Sequence, residues 1–533
     1  MKPSKLLLVL SLLVALNAAV AVAQDRAAER IGKVNFPVSC GPAAQEEFSR
    51  GVAMFHSFWF DAAGTAFAAV TQAEPGCAMG HWGVALTHLM SPNPFVGVPT
   101  AKGLQDGCPA VERAKAAGPK TPREGDYIAA LESLCKDREK ADQRARVVAY
   151  EQAMGQLSAR HPEDREAAVL YALALNMTVS PADKTYANQL KAAAILEKVF
   201  AEQPNHPGVA HYLIHSYDYP PVAKRGLNAA RRYAGIAPSA PHALHMPSHI
   251  FTREGFWEES IQSNLASAAA AKNHFDKLHA MDYLAYGYLQ MAQDAAAKRV
   301  LDEMRELGKP NVEHFVTGYA LAAIPSRYAL ERGRWAEAAA LALSPSDFPW
   351  ARYGQSEAVM VFARGLGAAR SGNVAVARQS ADRLQALREA LAAAKLGYWA
   401  EQADVQRRIV AAWLARGEGK AQESLQFLRA AADAEDATEK HPVTPGPIVP
   451  ARELLGEMLL AANQPREALR EFEASMRGEP NRFRGLYGAA RAAEGSGDRE
   501  KARTYYQRLL GLAAKADTER PELAEAKGFL AKK

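Results

Sequence analysis

The stretch Asn463-Gln464-Pro465-Arg466-Glu467-Ala468-Leu469-Arg470-Glu471-Phe472 decides the fold. Thirty-four residues after its start, Gly497-Asp498-Arg499-Glu500-Lys501-Ala502 repeats it, and Tyr506 stands where Phe472 stood. A small residue at Ala468 and Ala502 lets one helix approach its neighbour, and an aromatic residue one turn on fills the gap. Pro480 ends the first unit, because proline cannot continue a helix. The register recurs in Phe60-Asp61-Ala62-Ala63 with Pro75, at Gly255-Phe256-Trp257, in Gly333-Arg334-Trp335-Ala336-Glu337-Ala338, and in Gly372-Asn373-Val374-Ala375-Val376-Ala377. An interval of 34 is the length of a helix–turn–helix unit that buries its apolar face only by stacking on its copies.

The turn glycine, the small residue opening the second helix and the closing proline resemble the tetratricopeptide repeat (TPR) superfamily. The resemblance covers nearly the whole chain after its first residues. It implies an all-α, TPR-like helical-hairpin solenoid (a superhelix) of roughly nine to eleven helix pairs. Ala, Leu, Glu and Arg dominate and favour helix. A solenoid core grows in one dimension, so 533 residues need no division into several globular domains.

The first residues read differently. Lys2 and Lys5 precede an apolar run from Leu6 to Val22, and Ala21-Val22-Ala23 gives a cleavage site. Residues 1–23 are therefore expected to be a secretory signal peptide, leaving a periplasmic or secreted protein with no integral membrane segment after cleavage. Loss of Lys2 and Lys5 from 64 basic residues leaves 62 against 59 acids. This near-balance, without a dense basic block, argues against nucleic acid as a partner. Cys40, Cys77, Cys108 and Cys135 suit two disulfides in an oxidising compartment. Of three pairings, Cys40–Cys77 and Cys108–Cys135 close the most local loops and would staple the N-terminal cap.

The expected organisation is N-terminal repeats and cap over 24–130, a central solenoid over 131–439, a Pro-rich strap over 440–450 and a C-terminal TPR pair over 451–533. Ser91–Lys120, rich in Pro and Gly, reads as a long loop. Lys440–Pro450 cannot be helical and either marks a boundary or crosses the concave face.

Histidine follows the same period. His211, His245 and His279 are spaced by 34, as are His215 and His249. With units starting at 207, 241 and 275, the first three take the fifth place of a first helix. His215 and His249 take the ninth, with Tyr283 beside them in the third unit. His242 and Asp276 take the second place, and Asp218 and Tyr286 the twelfth. Places 2, 5, 9 and 12 share one helix face. The TPR resemblance implies that this stripe lines a concave groove holding a peptide, protein or small-molecule ligand.

His at i and i+4 can ligate one ion together. His211, His215, His245 and His249 form the expected ligand set, with His279 as a fifth candidate. Asp218 is either a further ligand or an acceptor that orients an imidazole. Such a set suits zinc, copper, iron or nickel. Arg253 is a candidate for an anionic group in the groove. Three readings follow: a metal- and ligand-binding protein, a metal-dependent enzyme, and a metal-free interaction scaffold of the cell envelope. In the second, Asp218 or Asp282 would serve as base and Tyr283 or Tyr286 would stabilise charge. Pro247 lies inside a first helix and should kink it. Glu453 and Glu457, one turn apart, read as an exposed acidic face or a distant cation site.

Overall fold

The computed structural model describes residues 29–95, 98–136 and 142–532. The segment read as a signal peptide, 1–23, lies outside the described residues. Helices joined by short turns run from Pro42 to Ala531, with no strand among the described residues. Among the described residues twelve successive helical hairpins stack in order, from Pro42–His56 with Phe60–Ala73 to Phe483–Gly495 with Arg499–Leu512, and Pro521–Ala531 covers the last. The architecture is the all-α, TPR-like solenoid expected.

The repeat signals act as read. Ala468, Phe472, Ala502 and Tyr506 are all fully buried between helices. The turns at Gly255, Gly333, Gly372 and Gly497 hold positive φ, between 63° and 84°, which glycine adopts without steric cost. Asn463 takes the place of Gly497 in its own unit at φ 59°, and asparagine tolerates that region better than most residues.

There is one hairpin more than the upper expectation, and it corrects the reading of 91–120. Ala101–Ala117 is a helix packed on Ala78–Met90, capped by the Thr100 hydroxyl. Its glycines are packing contacts rather than breakers. A Cβ on Gly103 would stand 2.6 Å from the His88 carbonyl oxygen, and one on Gly107 2.7 Å from Leu89. Pro109 sits inside this helix beside Cys108, which is joined to Cys135; Cys40 is joined to Cys77. Both disulfides follow the expected pairing.

The solenoid closes on itself. Trp257 Nε1 donates to the Asn481 carbonyl at 2.7 Å, and the Asp517 carboxylate accepts from the Ala295 and Ala296 amides. Arg482, fully buried, reaches Glu331, Glu453 and the Tyr286 hydroxyl from the far end of the chain. Glu453 is thus a buried partner of Arg482, and Glu457 pairs with Arg370 and Arg484. Neither forms the exposed acidic face or the cation site.

The segment 440–450 is non-helical, and much of it is buried against the repeats. Tyr283 donates to the Thr444 carbonyl, and Arg327 to those of Gly446 and Pro447. These three strap carbonyls are therefore satisfied by side chains of the repeats, as buried carbonyls require.

Candidate metal centre

Three consecutive hairpins supply the histidines. Helix Pro207–Tyr217 starts with proline at its first position and is capped by His206, whose Nδ1 accepts from the Val209 amide. One turn separates His211 from His215 on its inner face. In the next unit Pro247 divides the first helix into Pro241–His245 and Pro247–Arg253. The third helix, His274–Gln290, is capped by Asn273.

The imidazoles gather in two groups instead of the single four-histidine set. In the first, His211 Nε2 lies 3.1 Å from His215 Nε2 and 3.2 Å from His242 Nε2. The other His211 nitrogen, Nδ1, is 2.7 Å from the His56 carbonyl oxygen. A carbonyl only accepts, so Nδ1 carries the proton and Nε2 presents its lone pair to the group. Phe58, held at φ 52°, places its ring 4.4 Å from His211 and 5.2 Å from His242, centroid to centroid. Phenylalanine rarely takes this left-handed conformation, and here it closes one side of the group.

The second group is His245, His249 and His279. His245 Nδ1 is 2.6 Å from Asn264 Oδ1. The Asn264 amide nitrogen donates to the Ser260 carbonyl at 2.7 Å, which fixes Oδ1 as acceptor and His245 Nδ1 as donor. His249 Nδ1 donates to Asp218 Oδ2 at 2.9 Å. Both Nε2 atoms therefore present lone pairs, and they face each other at 3.0 Å. Tyr283 Oη is 3.3 Å from His249 Nε2 but spends its one proton on the Thr444 carbonyl. The His279 nitrogen lies within 4.8 Å of the other two.

Burial lowers the pKa of all six imidazoles, most strongly for His211, His215, His242, His245 and His279. For His249 burial also dominates, and Asp218 opposes it. Neutral rings cannot place a proton between His245 and His249 without breaking a bond at Nδ1. Two nitrogens bound to one ion at about 2.0–2.1 Å with angles near ~95–110° lie roughly 3.0–3.4 Å apart. The observed 3.0, 3.1 and 3.2 Å fall in that range.

Asp218 is the hub of the outer layer. It accepts from His249, from Arg253 Nε at 2.9 Å and from Lys440 Nζ at 2.8 Å. Burial pushes its carboxyl up, but Lys440, Arg253 and His249 more than offset this and hold it well below the usual range. Burial also brings the Lys440 ammonium down to about 8, against the pull of Asp218. A carboxylate engaged by three donors orients its histidine; it is not a free base.

A third buried group, His56, Glu166 and His206, contrasts with these two. Glu166 accepts from both rings, at 2.9 and 2.6 Å, while His56 Nδ1 meets the Tyr212 hydroxyl and His206 Nδ1 its own helix cap. Burial pushes the Glu166 carboxyl up, but the two imidazoles hold it at about 2. Every ring nitrogen has a partner, so this network needs no ion. It fixes the first hairpin against Pro207–Tyr217, where Gly208 admits the His56 ring: a Cβ there would lie 2.5 Å from it.

The other expected residues are spread more widely. Arg253 is committed to Asp218 and faces Glu479 at 3.8 Å. Asp282 is ion-paired with Arg327. Tyr286 bonds Glu479 and Arg482. Asp276 stays with its own cap residue Asn273, and burial pushes its carboxyl up to about 6. Asp276 and His242 share a register place, yet only His242 joins an imidazole group. The stripe does not line an open groove: His211 is 0% exposed and His245 and His249 2% each. Phe58, Phe95 and the strap cover it. Sequence reasoning missed Asn264, Lys440, Phe58 and the His56 carbonyl, none of which carries a periodic signal.

No family model and no curated protein sequence matches the chain. Among solved structures it is similar to the human IFIT1 dimer with m7Gppp-AAAA, at 12% identity over 82% of this chain and 90% of that one, TM-score 0.40. It is also similar to the P58(IPK) TPR domain, at 11% identity over 92% and 100%, TM-score 0.21. A third is Naa15/Naa10 bound to HypK-THB, at 12% identity over 92% and 78%, TM-score 0.25. The fold assignment rests on the helical hairpins themselves: the chain is a TPR-like helical solenoid.

Proposed function

We propose that the chain is an exported transition-metal-binding protein, with His245, His249 and His279 holding an ion at the heart of the solenoid. The observation that carries this reading is the pair of Nε2 lone pairs facing each other at 3.0 Å, each ring's proton fixed on Nδ1 by a committed acceptor. Two lone pairs at that distance repel unless a cation stands between them. Asn264 and Asp218 orient the rings as outer partners of metal-bound histidines commonly do. Three neutral imidazoles suit zinc, copper, iron or nickel and leave a coordination position for a small ligand.

The strap's backbone occupies the inner surface at Tyr283 and Arg327, where an extended peptide would lie. This supports a small ligand at the site over a bound peptide. Export is supported by the signal-like first residues and by two disulfides, which persist in oxidising compartments.

The test is the metal content of untagged protein purified from the periplasm, beside a His245→Ala/His249→Ala variant. At least one equivalent of one metal, lost or sharply reduced in the folded variant, is expected. Wild-type protein that stays metal-free after supplementation would sink the proposal.

A further inference from the structure

The two histidine groups are not independent. His215 of the first and His249 of the second have ring centroids 5.9 Å apart, and so do His242 of the first and His245 of the second. They adjoin because the repeat places them so. Each draws a pair of histidines four residues apart from one repeat unit, the pair straddling Pro247 in the middle unit, and a third histidine from the next unit. The middle unit serves both, giving His242 to one group and His245 and His249 to the other. These three rings share one face, at places 2, 5 and 9 of the unit, on either side of the interruption at Pro247.

Charge decides what such a pair would hold. Six neutral imidazoles contribute no negative charge, and two divalent ions carry four positive ones. The carboxylate at the site, Asp218, is already shared among His249, Arg253 and Lys440, and two of these are cations. A buried excess of positive charge is strongly unfavourable unless compensated. Each three-histidine ion also keeps an open position. A small anion between the ions supplies both the missing charge and the missing ligands.

The structure provides a route for it. A cavity of about 270 Å³ is lined by His215, Asp218 and Lys440, together with the apolar side chains of Phe95, Val98 and Met177. Lys440 places a cation on the path of an entering anion.

Resting on the metal-binding reading above, we infer that His211, His215 and His242 hold a second ion, and that both groups form one dinuclear centre that takes a small bridging anion through this cavity. In two-metal sites paired ions clamp one small ligand in this way.

The test uses the full-length protein, stripped with chelator and titrated with copper(II), then with azide as the probe anion. Bound copper is counted by elemental analysis and unpaired spins by electron paramagnetic resonance. Two equivalents of copper, a spin count well below two, and one azide per copper pair are expected. His242→Leu and the milder His242→Asn should each reduce binding to one equivalent with the full spectrum of an isolated ion. One equivalent in the wild type, or two that keep their full spin, would overturn the dinuclear centre and leave the single metal site standing. No copper bound in the wild type would remove both.

Discussion

Replacing Asn264 by leucine isolates the role of one hydrogen bond in the proposed metal centre. The side chains are similar in size and Asn264 is fully buried, so packing changes little. Two bonds are lost: His245 Nδ1–H to Asn264 Oδ1 at 2.6 Å, and Asn264 Nδ2–H to the Ser260 carbonyl at 2.7 Å. A buried donor left without its acceptor costs about 1–3 kcal/mol, and the metal-free protein should be destabilised by that order. The effect on metal is separate. Without an acceptor at Nδ1 the His245 ring is free to carry its proton on Nε2, and the ligand lone pair is lost from the site. Outer-partner substitutions typically cost 10–100-fold in metal affinity, or about 1.4–2.7 kcal/mol. Competition against a chelator of known strength measures the affinity, and urea denaturation of the stripped protein measures stability. Asn264→Asp keeps an acceptor at the same place and should bind metal within a few-fold of the wild type. Should Asn264→Leu lose stability while its metal affinity stays within two-fold of the wild type, the tautomer argument fails and Asn264 is merely structural.

Acid should destabilise the metal-free protein. Burial holds the six imidazoles below the ordinary 6.5, so the unfolded chain takes up more protons as pH falls. Their contribution is intact above pH 6.5 and is lost below it, with a slope of up to about 1.4 kcal/mol per pH unit for each histidine. Urea denaturation at pH 7.5 and 5.5 checks this, and equal stabilities would refute it. Arg482→Met leaves Glu331 and Glu453 buried without their cation and should cost about 3–5 kcal/mol. Thermal denaturation of this variant should show a clearly lower midpoint; an unchanged one would mean that the closure contributes nothing to stability.

The sequence made the repeat legible because stacking demands the same small and aromatic residues at the same places in every unit. The histidine stripe was legible because three neighbouring units repeat it at the same interval of 34. Which histidines meet was not legible. His242 and Asp276 share a place, but His242 meets His211 across the packed repeats whereas Asp276 stays with its own cap residue Asn273. Asn264 lies on a second helix, outside the stripe, and Lys440 is 222 residues from the Asp218 it binds. The helix Ala101–Ala117 was hidden because Gly103, Gly107 and Pro109 mark loops by composition, whereas here the two glycines are needed for close contact with the preceding helix.

The origin of Lys440 and Thr444 in the strap has a temporal consequence. All six imidazoles precede residue 280, yet the cation on Asp218 and the carbonyl that takes the Tyr283 proton arrive with residues 440 and 444. At about 5–20 residues per second, synthesis needs roughly 8–30 s to pass from His279 to Lys440. Through that interval a nascent chain carries the histidines without the strap's part of their cover. Under the metal-binding proposal, fidelity of metal choice then depends on where roughly the last fifth of the chain, from Lys440 on, is made and folded, as much as on the ligands themselves.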